Sequence, residues 1–421
     1  GAPVDPAALA GDPPALPAAS DPGPAIADAV ARLSTAERPI ILVGGRVTRG
    51  AMPALLPKLH ALGVPLMTTW NGFDRIPDDD PLYVGRPNNW GQRSANAIIA
   101  QADLILAVGC RLAYQQTGFN WEQFAPGADV IQVFPDADEL RKGHPHTVAG
   151  YDVDSDAFLA GLATDGSWSD TGGWLGFCRH VRAALPLVDP ENTGGPEFFS
   201  PYAFCTELSD AMTGDDVVIV ASSGGANSVP MQVLRGKAGQ IVITDNGLAS
   251  MGYALSGAIG AALAHPERRV VHIEGDGGFA QNLQELAIVD VNRLRVKSFI
   301  WANEGYGSIR QTQRNYFGGA YLGCDTQTGL GFPDWQTLFR AYHIDSMVLG
   351  PGAMASDAFR EAFDSPEPFA FIVPVDTEQT YFPKITSRVT ESGSMESNPL
   401  YRMSPDLPDE LERDVLRYLQ S

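Results

Sequence analysis

The sequence predicts an α/β protein with two doubly wound parallel-sheet domains. Short apolar runs alternate with helix-spaced segments from about residue 25 onward, the pattern of a parallel sheet whose connections are helices. Several runs end in glycine turns, as in RPIILVGG and RRVVHIEGDGG, where a strand hands over to a helix. The length, 421 residues, exceeds what one ordinary core holds.

Residues 1–24 are rich in Pro and Ala. They carry neither the basic nor the apolar region of a signal peptide and read as a linker or arm. Residues 25–163 make the first predicted domain, Rossmann-like in its βα alternation. Its strands are Arg38–Gly45, Val64–Thr69, Asp103–Cys110 and Asp129–Phe134. The helical stretch GAMPALLPKLHALG is interrupted by Pro53 and Pro57, and SANAIIAQA is a second helix. Residues 164–200 hold two polar, Gly-rich breaks around one helical stretch and read as a connector. Residues 201–380 make the second domain, with strands at Asp216–Ser223, Gln240–Asp245, RRVVHIE, RVKSFIWA and Pro368–Val375. Met251–Pro266 has small residues and no polar face, so a buried helix is expected there. Residues 381–421 form a polar tail with a last helix in DELERDVLRYL.

Charge and composition exclude several functions. A net charge of -21 repels nucleic acid and anionic lipid, and no basic patch offsets it. No apolar run reaches membrane-spanning length. Cys110, Cys178, Cys205 and Cys324 are scattered without a paired spacing. Zinc and a disulfide framework are therefore not expected, and a cytoplasmic protein is.

The chemistry centres on Gly275-Asp276-Gly277-Gly278. A strand delivers Asp276 to the C-terminal edge of a sheet, where ligands of open α/β sheets sit. Glycines admit a phosphate to the backbone, and a helix N-terminus supplies free N–H groups. Alone, the motif is more often a plain strand-to-helix turn. Asn303 stands 27 positions further on, at the end of the next apolar strand. Adjacent parallel strands would set the two side by side. A carboxylate, an amide oxygen and a backbone carbonyl suit Mg²⁺ bound to a diphosphate.

GDG followed by Asn across a βαβ unit resembles the thiamine-diphosphate motif. The flanking stretches DNGLASMGYALSGAIGAALAHP, GDGGFAQNLQELAIV and WANEGYGSIRQTQ are similar to the acetohydroxyacid (acetolactate) synthase-like family. RPIILVGG, ADLILAVGCRL and FAPGADVIQVFPDADEL resemble that family's central domain. The resemblance implies Asp276, Asn303 and the Gly305 carbonyl as Mg²⁺ ligands, with Gly275, Gly277, Gly278 and Tyr306 around the cofactor. It implies Met251 as the apolar wedge that bends the cofactor and the Ala249 carbonyl as its amino-group acceptor. Asn227, in the turn SSGGANS, would reach the diphosphate from the other side.

The family also has a pyrimidine-binding domain, which supplies an activating glutamate. GAPVDP resembles the linker that follows that domain, so two explanations are open. Either a separate subunit carries it, in a heteromeric split enzyme, or the chain is a fragment. The implied reaction decarboxylates a 2-oxo acid, pyruvate first, and adds the two-carbon unit to an acceptor ketone or aldehyde. Arg310 and Gln311 are candidate substrate contacts, and Thr312 replaces a family Trp above the cofactor. FAD in the central domain is left open: Gly44, Gly45 and Asp136 sit in suitable turns, but Arg46 and Tyr114-Gln115-Gln116 depart from the pattern. A thiamine-diphosphate decarboxylase, oxidase or C–C hydrolase, and a non-catalytic regulatory or stabilising subunit, are the alternatives.

Overall fold

The computed structural model describes residues 20–192, 195–389 and 395–419. The expected arm, up to residue 19, lies outside them. The first domain runs α1 (Gly23–Leu33), β1 (Pro39–Val43), α2 (Met52–Leu62), β2 (Leu66–Thr68), α3 (Arg93–Ile99), β3 (Leu104–Val108), β4 (Asp129–Val133), β5 (Ala149–Tyr151), α4 (Ser155–Asp165) and α5 (Trp174–Ala184). Its strands form one parallel sheet in the order β2-β1-β3-β4-β5. β1 and β3 are buried throughout, as strands covered on both faces must be. α1, α2 and α4 pack on one face and α3 and α5 on the other.

Two expectations need correction here. α2 is continuous. Pro53 sits in its first turn, where no N–H partner is needed, and Pro57 forgoes one bond only, to the carbonyl one turn below. The helix of the connector is also no spacer. Trp174, Phe177, Cys178 and Val181 of α5 are buried in the core of the first sheet.

The second domain runs α6 (Pro201–Ala211), β6 (Val217–Val220), α7 (Gly225–Val233), β7 (Ile241–Ile243), α8 (Tyr253–Ala264), β8 (Val270–Gly275), α9 (Leu286–Val291), β9 (Val296–Ala302), α10 (Gly307–Tyr316), α11 (Trp335–Ala341), β10 (Asp345–Val348), α12 (Asp357–Asp364) and β11 (Phe369–Pro374). The sheet order is β10-β11-β9-β8-β6-β7, all parallel. The order reverses at β6, which has β7 on one side and β8 on the other. A crevice opens at the C-terminal ends of the strands on either side of such a reversal. α8 corrects a further expectation: Ala254, Leu255, Ala258 and Ile259 are buried, but Ser256, Gly260 and Leu263 form an exposed stripe. Small residues all round left its inward face undetermined by composition.

The tail returns to the first domain. β12 (Lys384–Ile385) pairs with β15 (Met403–Ser404), β13 (Ser387–Val389) pairs with β14 (Met395–Ser397), and α13 (Asp409–Val415) follows. Arg93 donates to the carbonyls of Met403 at 3.2 Å and Pro405 at 2.8 Å, and Gln101 to that of Val415 at 2.9 Å. Val415 and Leu416 complete the core beside α5. Between the domains, the buried Arg86 guanidinium lies over the Phe73 ring at 4.0 Å. It donates to the carbonyls of Met231 at 3.0 Å and Leu234 at 2.6 Å, in and just after the last turn of α7.

Among the described residues no helix is long and apolar enough to cross a membrane. All four cysteines are free and buried. Trp174, which is fully buried and donates its indole N–H to the Pro39 carbonyl at 3.0 Å, ties α5 to β1. Trp174→Ala is expected to cost about 3–5 kcal/mol. The midpoint of a urea unfolding curve measures this, and a cost near zero would detach α5 from the core.

Candidate functional site

The site forms where β6, β8 and β9 end. Gly275 of β8 is in register with Trp301 of β9, so the next residues, Asp276 and the Ala302-Asn303 pair, emerge side by side. The Asp276 carboxylate is buried. It accepts the N–H of Gly277 at 2.7 Å and of Asn303 at 2.9 Å. Burial pushes its acid up to about 7, against the pull of backbone N–H groups from Gly277, Asn303, Glu304 and Gly305. A bound cation would reverse that push by favouring the carboxylate.

The Asn303-Glu304-Gly305 turn brings those amides in at the cost of strain. Glu304 is left-handed, with φ 59, a conformation costing of order 1–3 kcal/mol at non-glycine residues. A Cβ on Gly305 would lie 2.2 Å from the Cys324 carbonyl oxygen, so only glycine fits. One terminal atom of the Asn303 amide lies 2.9 Å from the Gly305 carbonyl oxygen and 3.1 Å from Asp276 Oδ1. With nitrogen there, the amide donates to both. With oxygen there, three oxygens converge, the arrangement a hard cation requires. The residues present therefore fit Mg²⁺.

A cavity of about 210 Å³ adjoins this set. Its walls include Ser222–Ala226 at the start of α7, Gly275–Gly278, Met251, and Gly305–Ile309 at the start of α10. Two helix N-termini thus open on it, a setting that favours an anion. A Cβ on Gly277 would meet the Tyr306 ring at 2.4 Å. The ring needs that glycine, and its hydroxyl takes the Gln281 amide at 3.3 Å.

Met251 stands at the mouth, 41% exposed. It follows Ala249, left-handed at φ 55, and precedes Gly252 at φ 85. Ala249 thus adopts a backbone natural to glycine. Beneath the turn, buried Glu274 accepts the Gly252 N–H at 3.2 Å and pairs with His272 at 3.1 Å. His272 in turn faces the Ser298 hydroxyl at 3.1 Å.

Several expected contacts lie elsewhere. Asn227 is buried and does not line the cavity: its Nδ2 donates to the Ala221 carbonyl at 2.6 Å and to Thr244 Oγ1 at 2.9 Å, leaving no N–H for a phosphate. Arg310 is buried in an ion pair with Asp325 at 2.8 Å and donates to the Thr377 carbonyl at 2.9 Å. Gln311 donates to the Gln379 carbonyl at 3.0 Å. Both side chains hold neighbouring segments, and neither lines the cavity. Thr312 is exposed and bonds within α10 to the Ser308 carbonyl.

The central-domain turns are likewise occupied by the chain. A Cβ on Gly44 would strike the Gly109 carbonyl at 2.2 Å, and Arg75 donates to the Gly45 carbonyl at 3.1 Å. Asp136 caps a short helix through the N–H groups of Asp138 and Glu139. These groups have partners within the chain that account for them without FAD.

Sequence reasoning missed Glu274, Trp301, Val375 and Tyr381 in the cavity wall. Tyr381 could have been found: it follows β11, β9's other neighbour in the sheet, so it emerges at the same edge. Burial and the nearby Asp276 carboxylate push the Tyr381 phenol's ionisation up, so it stays an O–H donor.

Two family models match. The thiamine pyrophosphate enzyme central domain covers residues 26–161, and the C-terminal TPP binding domain covers residues 223–373. The chain is 29% identical to acetolactate synthase isozyme 1 large subunit of Escherichia coli, over 86% of this chain and 62% of that protein. It is 28% identical to acetolactate synthase 1, chloroplastic, of Zea mays, over 83% and 55%. A probable acetolactate synthase large subunit of Methanocaldococcus jannaschii is also 28% identical, over 82% and 58%. The chain thus spans between 55% and 62% of the length of these relatives.

The Gly277–Tyr306 contact gives a direct test. Gly277→Ala is expected to cost about 1–3 kcal/mol, the usual range for overpacking. In a Tyr306→Ala background the cost should largely vanish. Denaturant midpoints of the four proteins in the cycle measure the coupling; equal costs in both backgrounds would remove the ring as the reason for the glycine.

Proposed function

Because the chain belongs to the thiamine pyrophosphate enzymes, we propose that it is the diphosphate-binding part of an acetolactate synthase-like carboligase using thiamine diphosphate and Mg²⁺. One observation carries the reading: Asp276, Asn303 and the Gly305 carbonyl converge beside a cavity onto which two helix N-termini open. Those three groups would hold Mg²⁺. Gly275, Gly277, Gly278 and the Ser222–Gly225 turn would line the diphosphate, Met251 would support its bent form, and the Ala249 carbonyl would accept from its amino group. When bound, thiamine diphosphate supplies an electron sink for decarboxylation of a 2-oxo acid.

The chain's own residues bind, orient and exclude water. Trp301, Val375 and Ile309 give the cavity an apolar side. Glu274 is held by His272 and the Gly252 amide and is therefore not free to activate a distant ring. The activating glutamate is assigned to a pyrimidine-binding domain that covers this site, carried by a separate subunit in a heteromer or by the same polypeptide. Leu248, 83% exposed, and half-exposed Met251 and Ile309 give that domain an apolar rim to cover. The acetolactate synthase names of the relatives support carboligation as the outcome. Pyruvate is the proposed donor and a ketone or aldehyde the acceptor. FAD is not part of the proposal, since Gly44, Gly45 and Asp136 are accounted for by contacts within the chain.

Thiamine diphosphate is expected to be retained in equilibrium dialysis with Mg²⁺ and released by EDTA. Asp276→Ala should weaken retention at least about 10- to 100-fold, the loss seen when even an outer-shell metal partner is removed. Retention unaffected by that substitution would overturn the metal assignment. Carbon dioxide release from pyruvate should rise on adding a separately produced pyrimidine-binding domain. Equal release by the chain alone would sink the partner assignment.

A further inference from the structure

We infer that Tyr381 is a diphosphate-anchoring residue, its hydroxyl donating to a phosphate oxygen held between the N-termini of α7 and α10. Tyr381 is 5% exposed and lines the cavity. A Cβ on Gly225 would lie 2.5 Å from its hydroxyl oxygen, and one on Gly307 would lie 3.9 Å from it. The hydroxyl therefore sits between the first residues of the two helices. No hydrogen bond to it is made by the described residues, and it opens on the cavity that Tyr381 lines. Its surroundings explain what is missing. The first N–H groups of both helices lack partners within their own helix, so this end of the cavity gathers donors. The group that completes it is an acceptor, and a phosphate oxygen is one.

The hydroxyl is held in place from behind. Asn192 clamps Phe382, donating to its carbonyl at 2.6 Å and accepting its N–H at 3.0 Å. Gln232 donates to the Pro383 carbonyl at 3.1 Å. Gln311 holds the Gln379 carbonyl at 3.0 Å, and Arg310 the Thr377 carbonyl at 2.9 Å. Arg310 and Gln311 thus reach the site through Tyr381, by fixing the segment that carries it. A donor fixed beforehand loses little freedom on binding.

The assignment rests on the thiamine diphosphate reading above, and its test separates the two. Titration calorimetry would compare wild type, Tyr381→Phe and Asp276→Ala with thiamine diphosphate plus Mg²⁺ and with inorganic pyrophosphate plus Mg²⁺. Phenylalanine keeps the ring's packing, so the thermal midpoint without ligand should not move. Both ligands should bind Tyr381→Phe about 10- to 100-fold more weakly, the loss of one hydrogen bond to a charged group. Unchanged affinity in Tyr381→Phe alongside lost affinity in Asp276→Ala overturns the Tyr381 assignment and leaves the cofactor reading standing. A lowered thermal midpoint with unchanged affinity also overturns it. No binding of either ligand by wild type overturns the cofactor reading, and the Tyr381 assignment with it.

Discussion

The hydrogen bond from the Asn303 backbone N–H to the Asp276 carboxylate, 2.9 Å long, fixes everything else at the cavity. It closes β9 onto β8 just past the last paired residues. A slip of one residue by either strand would turn its side chain to the opposite face from the other's. Because the strands are parallel neighbours, the chain must cross over through a helix to return to the same edge. That crossover, with α9 in it, sets the spacing seen in the sequence. The strained turn at Glu304 is the local consequence: it is the conformation that brings successive amides to one buried carboxylate.

Asp276, Asn303 and Met251 were legible because their placement follows from strand ends and local turns. The sheets were legible from apolar runs, except β5 and β10, short edge strands whose half-exposed residues carry no apolar run. Asn227, Arg310 and Gln311 were not legible, although the turns and the helix that carry them were. Sequence places such a residue near the edge but not its direction. Arg310 turns inward because Asp325, in an irregular loop, offers a buried partner. Asn227 turns away because Thr244, at the end of β7, takes its amide. The docking of the tail on α5 joins segments more than two hundred residues apart, and no local pattern encodes it.

The charges around the cavity are arranged in layers. Nearest the ligand space lie neutral donors and the Asp276 set. Glu274 is also in the wall, where its pairing with His272 and the Gly252 amide holds it. In a chain of net charge -21, a site for an anion cannot draw on bulk attraction. Helix ends and a cation supply the local field instead.

Arg86 gives the two domains a relation that their separate sheets conceal. It belongs to the first domain and neutralises the carbonyl end of α7, whose opposite end faces the ligand space. The binding half is therefore not a transplantable module. Cut from its neighbour, it would keep every residue that faces the cavity and lose the counter-charge that aims one of its helices. Exchange of parts between related chains would have to move the two sheets together, or carry a replacement for one buried arginine.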